Sequence, residues 1–186
     1  DRYELLKRQR VAVGRCVCSD DDCRSRQARM TRPEDVAGRG LWLDGYNVLT
    51  TVEAALAGGV LLAARDGTLR DMAGMHGTYR KVAETRPAIE RIGRVVERLA
   101  AGEVVWYLDR PVSNSGRLRA ILLEMAAQAG WPWHVELVAD PDPVLAQSRA
   151  VVATADSAVL DACGRWLNLA KIVVETEVAD PWQIEI

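Results

Sequence analysis

The sequence predicts an α/β protein in which a parallel β-sheet is sandwiched by helices. From residue 40 onward, short apolar runs alternate with segments of helical periodicity, as expected when helices connect parallel strands. Strands this apolar are typical of a sheet buried on both faces. Four of the runs end in aspartate, and the carboxyl ends of parallel strands share one edge of the sheet, where ligands bind.

The composition is that of a globular protein with one domain of ordinary size. The chain has 186 residues, of which 49% are hydrophobic and 27% charged, enough for a substantial core. The net charge of -2 selects no partner, because a local basic face can lie on a nearly neutral protein. No apolar stretch approaches the length of a membrane span, and the first residues lack the apolar region of a signal peptide. We therefore expect a cytoplasmic protein that does not enter a membrane.

An Arg-rich leader precedes the α/β pattern. Residues 1–38 read as a small helical extension, and residues 39–186 as the domain proper, with Pro33 and Gly38 marking the exit from the leader. Two interpretations of the basic residues stay open: a solvated helix face, or an arm that binds phosphate. The basic side chains are Arg2, Lys7, Arg8, Arg10, Arg15, Arg24, Arg26, Arg29 and Arg32.

The first half of the domain contains a strand, an inserted hairpin and a helix. The apolar stretch "LWLD" predicts a strand that ends at Asp44. Asp66 and Gly67 lie between two alternating segments, which is a strong signal for a β-hairpin. The stretch "RPAIERIGRVVERLAAG" places its isoleucines and valines on one face and ends in Gly102, so it predicts an amphipathic helix.

The second half repeats the pattern of apolar strand, acid and helix. "EVVWYLD" ends at Asp109, and the helix that follows is predicted between an N-cap at Ser115 and a C-cap at Gly130. "WHVELVAD" and "AVVATAD" predict two further strands, which end at Asp140 and Asp156. "SAVLDACGRWLNLA" is predicted as a single helix.

The aspartates at the strand ends are candidate metal ligands. Several carboxylates at one edge repel each other unless a cation neutralises them, and Mg²⁺ or Mn²⁺ prefers such oxygen ligands. The alternative is that the aspartates cap helices and turns, and Asp156, directly before "SAVL", is the best candidate for an N-cap. The sequence favours the metal site at this edge without excluding the caps.

Three segments resemble a known family. "LWLDGYNVL" resembles the first strand of the NYN and PIN-like ribonucleases, which ends in Asp-Gly-x-Asn, while "VVWYLD" and "VVATADSAVLD" are similar to two of their later segments. The resemblance covers about residues 40–169, and it is nearest to uncharacterised PIN-like proteins that join an Arg-rich leader to "RDGTLRD" and "SNSG" blocks. It implies a PIN-like, Rossmann-like sheet with a helical N-terminal extension and an inserted hairpin. It also implies RNA cleavage that depends on Mg²⁺ or Mn²⁺.

The resemblance assigns roles to particular residues. Asp44, Asp109 and Asp156 would be the metal-binding and catalytic acids, and Asn47, Thr154 and Ser157 would shape the site around the substrate. The acid that the family usually has in the helix after the central strand is missing. Asp66, Asp71 or Asp161 would then replace it, or the site is incomplete. We expect Asp161, one helical turn beyond Ser157, to join the catalytic group by orienting water or a second ion.

Further residues are candidates for substrate contacts. Ser113 and Ser115, in the "SNSG" loop before a helix, suit a phosphate, although an ordinary capping loop has the same residues. Arg70 belongs to a segment, residues 65–81, that is a candidate for a flap that holds the substrate.

These observations leave three functional hypotheses. The first is a metal-dependent endoribonuclease, the second an inactive RNA-binding protein of the same fold, and the third an enzyme that handles a small phosphorylated molecule. No P-loop or dinucleotide-binding motif is present. The expected partner is RNA, and a homodimer stays open.

Overall fold

A computed structural model describes residues 3–72 and 82–186 of the protein. The leader folds into two helices, α1 (Lys7–Cys16) and α2 (Asp20–Arg29), followed by a short 3-10 helix (Pro33–Asp35). Ser19 begins α2 because its hydroxyl accepts a hydrogen bond from the Asp22 amide at 3.1 Å, which satisfies a free N–H of the first turn. The leader is therefore helical, as predicted.

The domain that follows alternates strands and helices. Its elements in chain order are β1 (Leu41–Asp44), α3 (Gly45–Leu56), β2 (Leu61–Ala63), β3 (Leu69–Asp71), α4 (Thr85–Arg98), β4 (Val104–Asp109), α5 (Ser115–Ala129), β5 (Trp133–Val138), α6 (Pro141–Ala146), β6 (Val151–Ala153), α7 (Ser157–Ala162), β7 (Trp166–Leu167), α8 (Leu169–Glu177) and β8 (Gln183–Glu185).

The main sheet has five parallel strands in the order β5-β4-β1-β6-β7. The strand β1 lies at its centre, with β4 and β6 as its two neighbours. The chain thus leaves β1 toward one side of the sheet and later returns to the other. Such a topological switch point opens a crevice at the carboxyl ends of the strands. Asp44 ends β1 at this point.

Helices cover both faces of the sheet, so the predicted sandwich is confirmed. Alternate residues of β4 point to opposite sides: Trp106 belongs to the core with α3, α4, α5 and α8, and Tyr107 belongs to the core with α6 and α7. Both residues are buried. Burial on both faces explains why the strands read as continuous apolar runs.

The predicted hairpin forms a separate small sheet. The strands β2 and β3 pair antiparallel around Asp66 and Gly67, where Gly67 adopts a φ of +86° that favours glycine. The strand β8, which the sequence analysis did not predict, adds to the other side of β2 in parallel. The strand β2 thus lies between β3 and β8.

The prediction of one helix over "SAVLDACGRWLNLA" is wrong. The segment divides into α7, the edge strand β7 and the start of α8. Trp166 causes the division: it is fully buried, and its indole nitrogen donates a 2.7 Å hydrogen bond to the Arg26 carbonyl. The Thr31 amide donates to the Trp166 carbonyl at 2.7 Å, so the leader docks on this strand.

The capping prediction for α5 is half correct. Gly130 is the C-cap, with a φ of +74°, as predicted. The N-cap is Asn114, with a φ of +69°, and Ser115 is instead the first helical residue. The Ser115 hydroxyl bonds back to the Arg110 carbonyl at 3.1 Å, which removes it from the capping position.

The described residues include no helix with the length and apolar character that a membrane span requires.

Candidate functional site at the carboxyl edge of the sheet

Asp44 occupies the centre of the carboxyl edge and is buried, with 8% of its surface exposed. The next residue, Gly45, allows this position. A Cβ atom on Gly45 would lie 2.5 Å from Leu108 Cδ2 and 2.8 Å from the Tyr107 carbonyl oxygen. The chain therefore passes so close to β4 that only glycine fits after the aspartate.

Thr154 connects Asp44 to Asp156. Its hydroxyl donates a 2.8 Å hydrogen bond to Asp44 Oδ2 and accepts one of 3.0 Å from the Asp156 amide. The loop after β6 is thereby held against the end of β1. Thr154 is itself buried, so both bonds are sheltered from water.

Asn47 fixes the same loop from the first turn of α3. Its side-chain oxygen accepts a 2.8 Å hydrogen bond from the Ala155 amide. The residue predicted to complete the "DGYN" motif is therefore a structural tie between two strand ends. Its carbonyl oxygen is used by this bond, which leaves the side-chain amide group for a ligand.

Asp156 serves as the N-cap of α7. One of its carboxylate oxygens, Oδ1, accepts hydrogen bonds from the Ala158 amide at 2.8 Å and the Val159 amide at 3.2 Å. The cap interpretation of this residue is thus confirmed. Capping occupies one oxygen and leaves Oδ2 for a second role.

The carboxyl group of Asp44 is perturbed by its surroundings. Burial raises its pKa to about 7, the Thr154 hydrogen bond opposes the rise, and the negative charges of Asp156 and Asp142 add to it. At neutral pH the group therefore divides between its two protonation states. Perturbation of this size is typical of functional sites.

Asp109 and Asp140 border Asp44 on the β4 and β5 side. Burial, and then the charge of Asp140, raise the pKa of Asp109. Burial, and then the negative charge of Asp109, also raise the pKa of the Tyr46 phenol to about 12. Asp140 Oδ1 caps α6 by accepting a 3.1 Å hydrogen bond from the Asp142 amide.

Asp142 is a member of the acidic edge that the sequence analysis missed. Although Asp142 is exposed overall, loss of surrounding water and then the charges of Asp156, Asp140 and Asp109 raise its pKa to about 6. Its signal in the sequence was the second acid of "DPDP", which follows the strand end at Asp140. The short helix α6 carries this acid back toward β1.

The strands that lead to Asp44, Asp109 and Asp156 are parallel neighbours in the order β4-β1-β6. The charge of Asp156 adds to the rise in the pKa of Asp44, yet within the two described ranges no three His, Cys, Asp or Glu side chains are grouped closely enough to hold a metal ion. The sheet therefore gathers the predicted acids at one edge without closing them around a common point.

Arg70 and Asp161, predicted for the substrate and for catalysis, belong instead to a buried ion-pair network. Asp66 Oδ2 accepts hydrogen bonds from Arg26 at 2.6 Å and Arg70 at 2.9 Å. All three residues are buried. Arg26 also holds both carboxylate oxygens of Asp161, at 2.7 Å and 2.9 Å. This network joins the leader, the hairpin and α7.

The remaining bonds of Arg70 also go to groups of the protein itself. Its Nε donates to the Ala155 carbonyl at 2.9 Å, and one terminal nitrogen donates to the Arg15 carbonyl. The other approaches Ser157 Oγ at 3.3 Å. Arg70 and Ser157 therefore support the loop that carries Asp156, and Arg70 does not reach toward a substrate. Residues 73–81 of the predicted flap lie outside the described residues.

None of the three acids considered as a replacement for the family's missing acid is available at the edge. Asp66 and Asp161 are paired with arginine. Asp71 is buried and accepts hydrogen bonds from Thr50 and Thr51 at 3.2 Å and 3.1 Å. The additional carboxylate at the edge comes from Asp142, in α6.

The two serines of the "SNSG" loop differ in exposure. Ser113 is exposed, whereas Ser115 is buried and bonded to the Arg110 carbonyl. Only Ser113 can thus offer its hydroxyl to a ligand. The loop follows β4, so it borders the acidic edge.

This fold and edge define an α/β protein with an acidic cluster at the switch point of a parallel sheet. Residues 33–172 match the model of a family described as a domain of unknown function (DUF5616), and the chain belongs to this family. The chain is also similar to "Uncharacterized protein MJ0935" of Methanocaldococcus jannaschii, at 28% identity over 160 residues, which are 86% of this chain and 76% of that protein. No solved structure matches the chain.

Proposed function

We propose that the protein is a PIN-like endoribonuclease that uses Mg²⁺ or Mn²⁺ at the carboxyl edge of its sheet. The observation that carries the proposal is Asp44, a buried carboxylate at the switch point whose pKa is raised to about 7 by burial and by neighbouring acids. A buried carboxylate without a compensating cation is costly. The sequence resemblance to the NYN and PIN-like ribonucleases supports the same assignment.

The donor chemistry of the edge fits a hard divalent cation. Asp44, Asp109, Asp142 and Asp156 present carboxylate oxygens, which Mg²⁺ and Mn²⁺ prefer, and each of the first three has a raised pKa. The spacing is looser than a closed ligand set. Binding of an ion would thus require the acidic side chains to rotate toward Asp44. Asp156 Oδ2 accepts neither of the capping hydrogen bonds, so this atom could serve as a ligand.

Each residue has a distinct part in the proposal. A bound divalent ion supplies charge neutralisation at the phosphate and activation of water. Asp44, Asp109 and Asp156 hold it, and Asp142 adds negative charge from α6. Thr154 and Asn47 keep the loop after β6 in register with β1. Asp142, with a pKa of about 6, is suited to accept a proton near neutral pH.

RNA is the proposed substrate because of the resemblance, and two other outcomes are distinguishable by experiment. An inactive protein of the same fold would bind RNA without cleaving it. An enzyme for a small phosphorylated molecule would act on neither structured nor single-stranded RNA.

The test is cleavage of a panel of labelled RNAs over a range of Mn²⁺ concentrations. Asp44→Asn keeps the acceptor for Thr154 but removes the charge, and we expect it to lower the cleavage rate by about 100-fold, as loss of an electrostatic contribution does. Glu97→Gln, which removes an exposed charge from α4, is the matched control. Melting curves confirm that each variant is folded.

Equal cleavage by the wild type and Asp44→Asn would discard the mechanism. Binding without cleavage by both would assign the inactive RNA-binding protein, and neither binding nor cleavage would leave the small-molecule enzyme.

A further inference from the structure

A groove lined by arginines lies at the opposite edge of the sheet from the acids. We call it the basic groove; it has a volume of about 490 Å³, and its polar lining residues are Arg29, Thr31, Asp35, Arg39 and Arg165. The volume lies within the range of ligand-binding sites. Among the lining residues, three arginines face one aspartate, so the groove is positively charged.

The backbone places this groove at the amino ends of the strands. Arg39 lies just before β1 and Arg165 just before β7. The two segments flank β6, because the Val151 amide donates to the Gly40 carbonyl at 2.9 Å and the Val152 amide donates to the Arg165 carbonyl at 3.0 Å. The basic groove and the acidic edge are thus at opposite ends of the same strands.

The charges of the groove are available to a ligand. Arg165 is exposed, and its side chain forms no hydrogen bond or ion pair with any other residue in the described part of the chain. Arg39 uses only Nε, which donates to the Asp35 carbonyl at 2.8 Å, so its terminal nitrogens point to no described partner. Arg29 is anchored by bonds to the carbonyls of Ser25 and Cys163, which fixes the floor of the groove.

Several other arginines of the protein are committed to structure: Arg26 and Arg70 are buried and paired with Asp66. Exposed arginines on other elements, among them Arg8 and Arg117, have no side-chain partner in the described part of the chain, but they do not line the basic groove. The groove is distinguished by three arginines that line one concave surface.

We propose that the basic groove binds the phosphate backbone of single-stranded RNA, an inference that rests on the proposed function only in its choice of RNA as the polyanion. Guanidinium groups match phosphate oxygens in geometry and stay charged at all relevant pH values. The acidic edge repels phosphate unless a cation neutralises it. The groove supplies affinity that needs no divalent ion.

The distance between the two edges sets a length requirement. The strand β1 has four residues, so the edges are separated by roughly 13 Å, at about 3.3 Å per residue. A stacked strand of RNA advances about 3.4 Å per nucleotide. A stacked RNA of two or three nucleotides is shorter than this distance, whereas one of about 12 nucleotides is longer.

The experiment compares a groove variant with a control of equal charge. Arg39→Gln/Arg165→Gln removes two charges from the groove, and Arg91→Gln/Lys171→Gln removes two partly exposed charges from α4 and α8, outside the groove. Binding of a 12-nucleotide RNA is measured by fluorescence anisotropy in EDTA over a series of salt concentrations. Cleavage of a trinucleotide with Mn²⁺ is measured in parallel.

We expect the groove variant to bind the long RNA about tenfold more weakly and to lower the salt slope by about 1.4, since each lost phosphate contact contributes about 0.7 for a single strand. The control variant is expected to stay near the wild type, and any trinucleotide cleavage is expected to be equal in all three proteins.

The proposal that the groove binds RNA would be wrong if the groove variant kept the RNA affinity and the salt slope of the wild type. It would also be wrong if the wild type did not bind RNA. Wild-type binding of a polyglutamate peptide as tight as that of RNA would contradict it as well. Loss of trinucleotide cleavage has a different meaning: its absence in every protein contradicts the nuclease and leaves the groove in place.

Discussion

Thr154 Oγ1 donates a 2.8 Å hydrogen bond to Asp44 Oδ2, and the two residues are 110 positions apart in the sequence. The same hydroxyl accepts from the Asp156 amide at 3.0 Å, so its single proton is directed toward Asp44. The geometry of the acidic edge therefore depends on one side chain that carries no charge.

Removing the Thr154 hydroxyl is expected to change the titration of Asp44. The hydrogen bond lowers the pKa of Asp44 against the effect of burial, so Thr154→Val should raise that pKa by about one unit. Thr154→Ser keeps the hydroxyl and should stay near the wild type. The measurement is a carbon-13 NMR titration of the aspartate carboxyls in EDTA. A pKa in Thr154→Val equal to that of the wild type would contradict the role of this bond.

The wild type is expected to lose stability as the pH rises from about 4 to about 7. Asp44 releases its proton near its ordinary pKa of 3.8 when unfolded but near 7 when folded, so ionisation favours the unfolded chain in that window. Asp44→Asn removes this effect and should melt about 5 °C higher than the wild type at pH 8 in EDTA. At pH 4 the two melting temperatures should be equal.

The metal proposal adds an opposite effect to the same melts. Mn²⁺ at pH 8 should raise the melting temperature of the wild type and not that of Asp44→Asn, because an ion that binds only the folded state stabilises it. An equal response of both proteins to Mn²⁺ would show that the ion binds elsewhere. Asp44→Asn should still lose some stability as the pH rises, because the pKa of Asp142 is raised to about 6. This loss should be smaller than the loss in the wild type.

Asp66 is expected to be the most sensitive acid outside the edge. Burial raises its pKa, but Thr68, Arg70 and Arg26 outweigh burial and the pKa is lowered, so the group is ionised in the folded protein. Asp66→Asn leaves two buried arginines poorly compensated and should cost about 3 to 5 kcal/mol. Asp161→Asn, whose side chain is 48% exposed, should cost about 1 kcal/mol. Urea unfolding measures the free energy of unfolding of both variants. Equal losses of stability in the two variants would contradict the importance of burial.

Gly45 is expected to tolerate no side chain. A Cβ atom there would lie 2.5 Å from Leu108 Cδ2 and 2.8 Å from the Tyr107 carbonyl oxygen, so Gly45→Ala should cost about 1 to 3 kcal/mol and displace Asp44. Gly116 is the matched control, because a Cβ atom there would have no neighbour within 4 Å. Gly116→Ala should be neutral or stabilise by up to about 1 kcal/mol. Chemical unfolding of both variants decides, and similar values would contradict the close approach to β4.

Local patterns in the sequence predicted the elements that depend on neighbouring residues. The apolar runs gave β1 and β4, the apolar face of residues 86–102 gave α4, and Asp66-Gly67 gave the hairpin. The strand β7 was not predicted because it has only two residues, Trp166 and Leu167. Both are fully buried, but two residues are too few to show an alternating pattern. Their strand exists through pairing with β6 and contact with the leader.

The meeting of acids at one edge could be predicted from the sequence, because parallel strands that each end in aspartate present those ends together. Which acids stay at the edge depends on contacts between residues far apart in the chain. Arg26 lies 135 positions from Asp161 and takes it into an ion pair, while α6 brings Asp142 toward Asp44. The succession of strands and helices along the chain could largely be predicted from periodicity, which is local. Which charged side chains form ion pairs depends on which helices pack over the sheet. That packing is driven by burial of apolar surface between segments that are distant in the sequence.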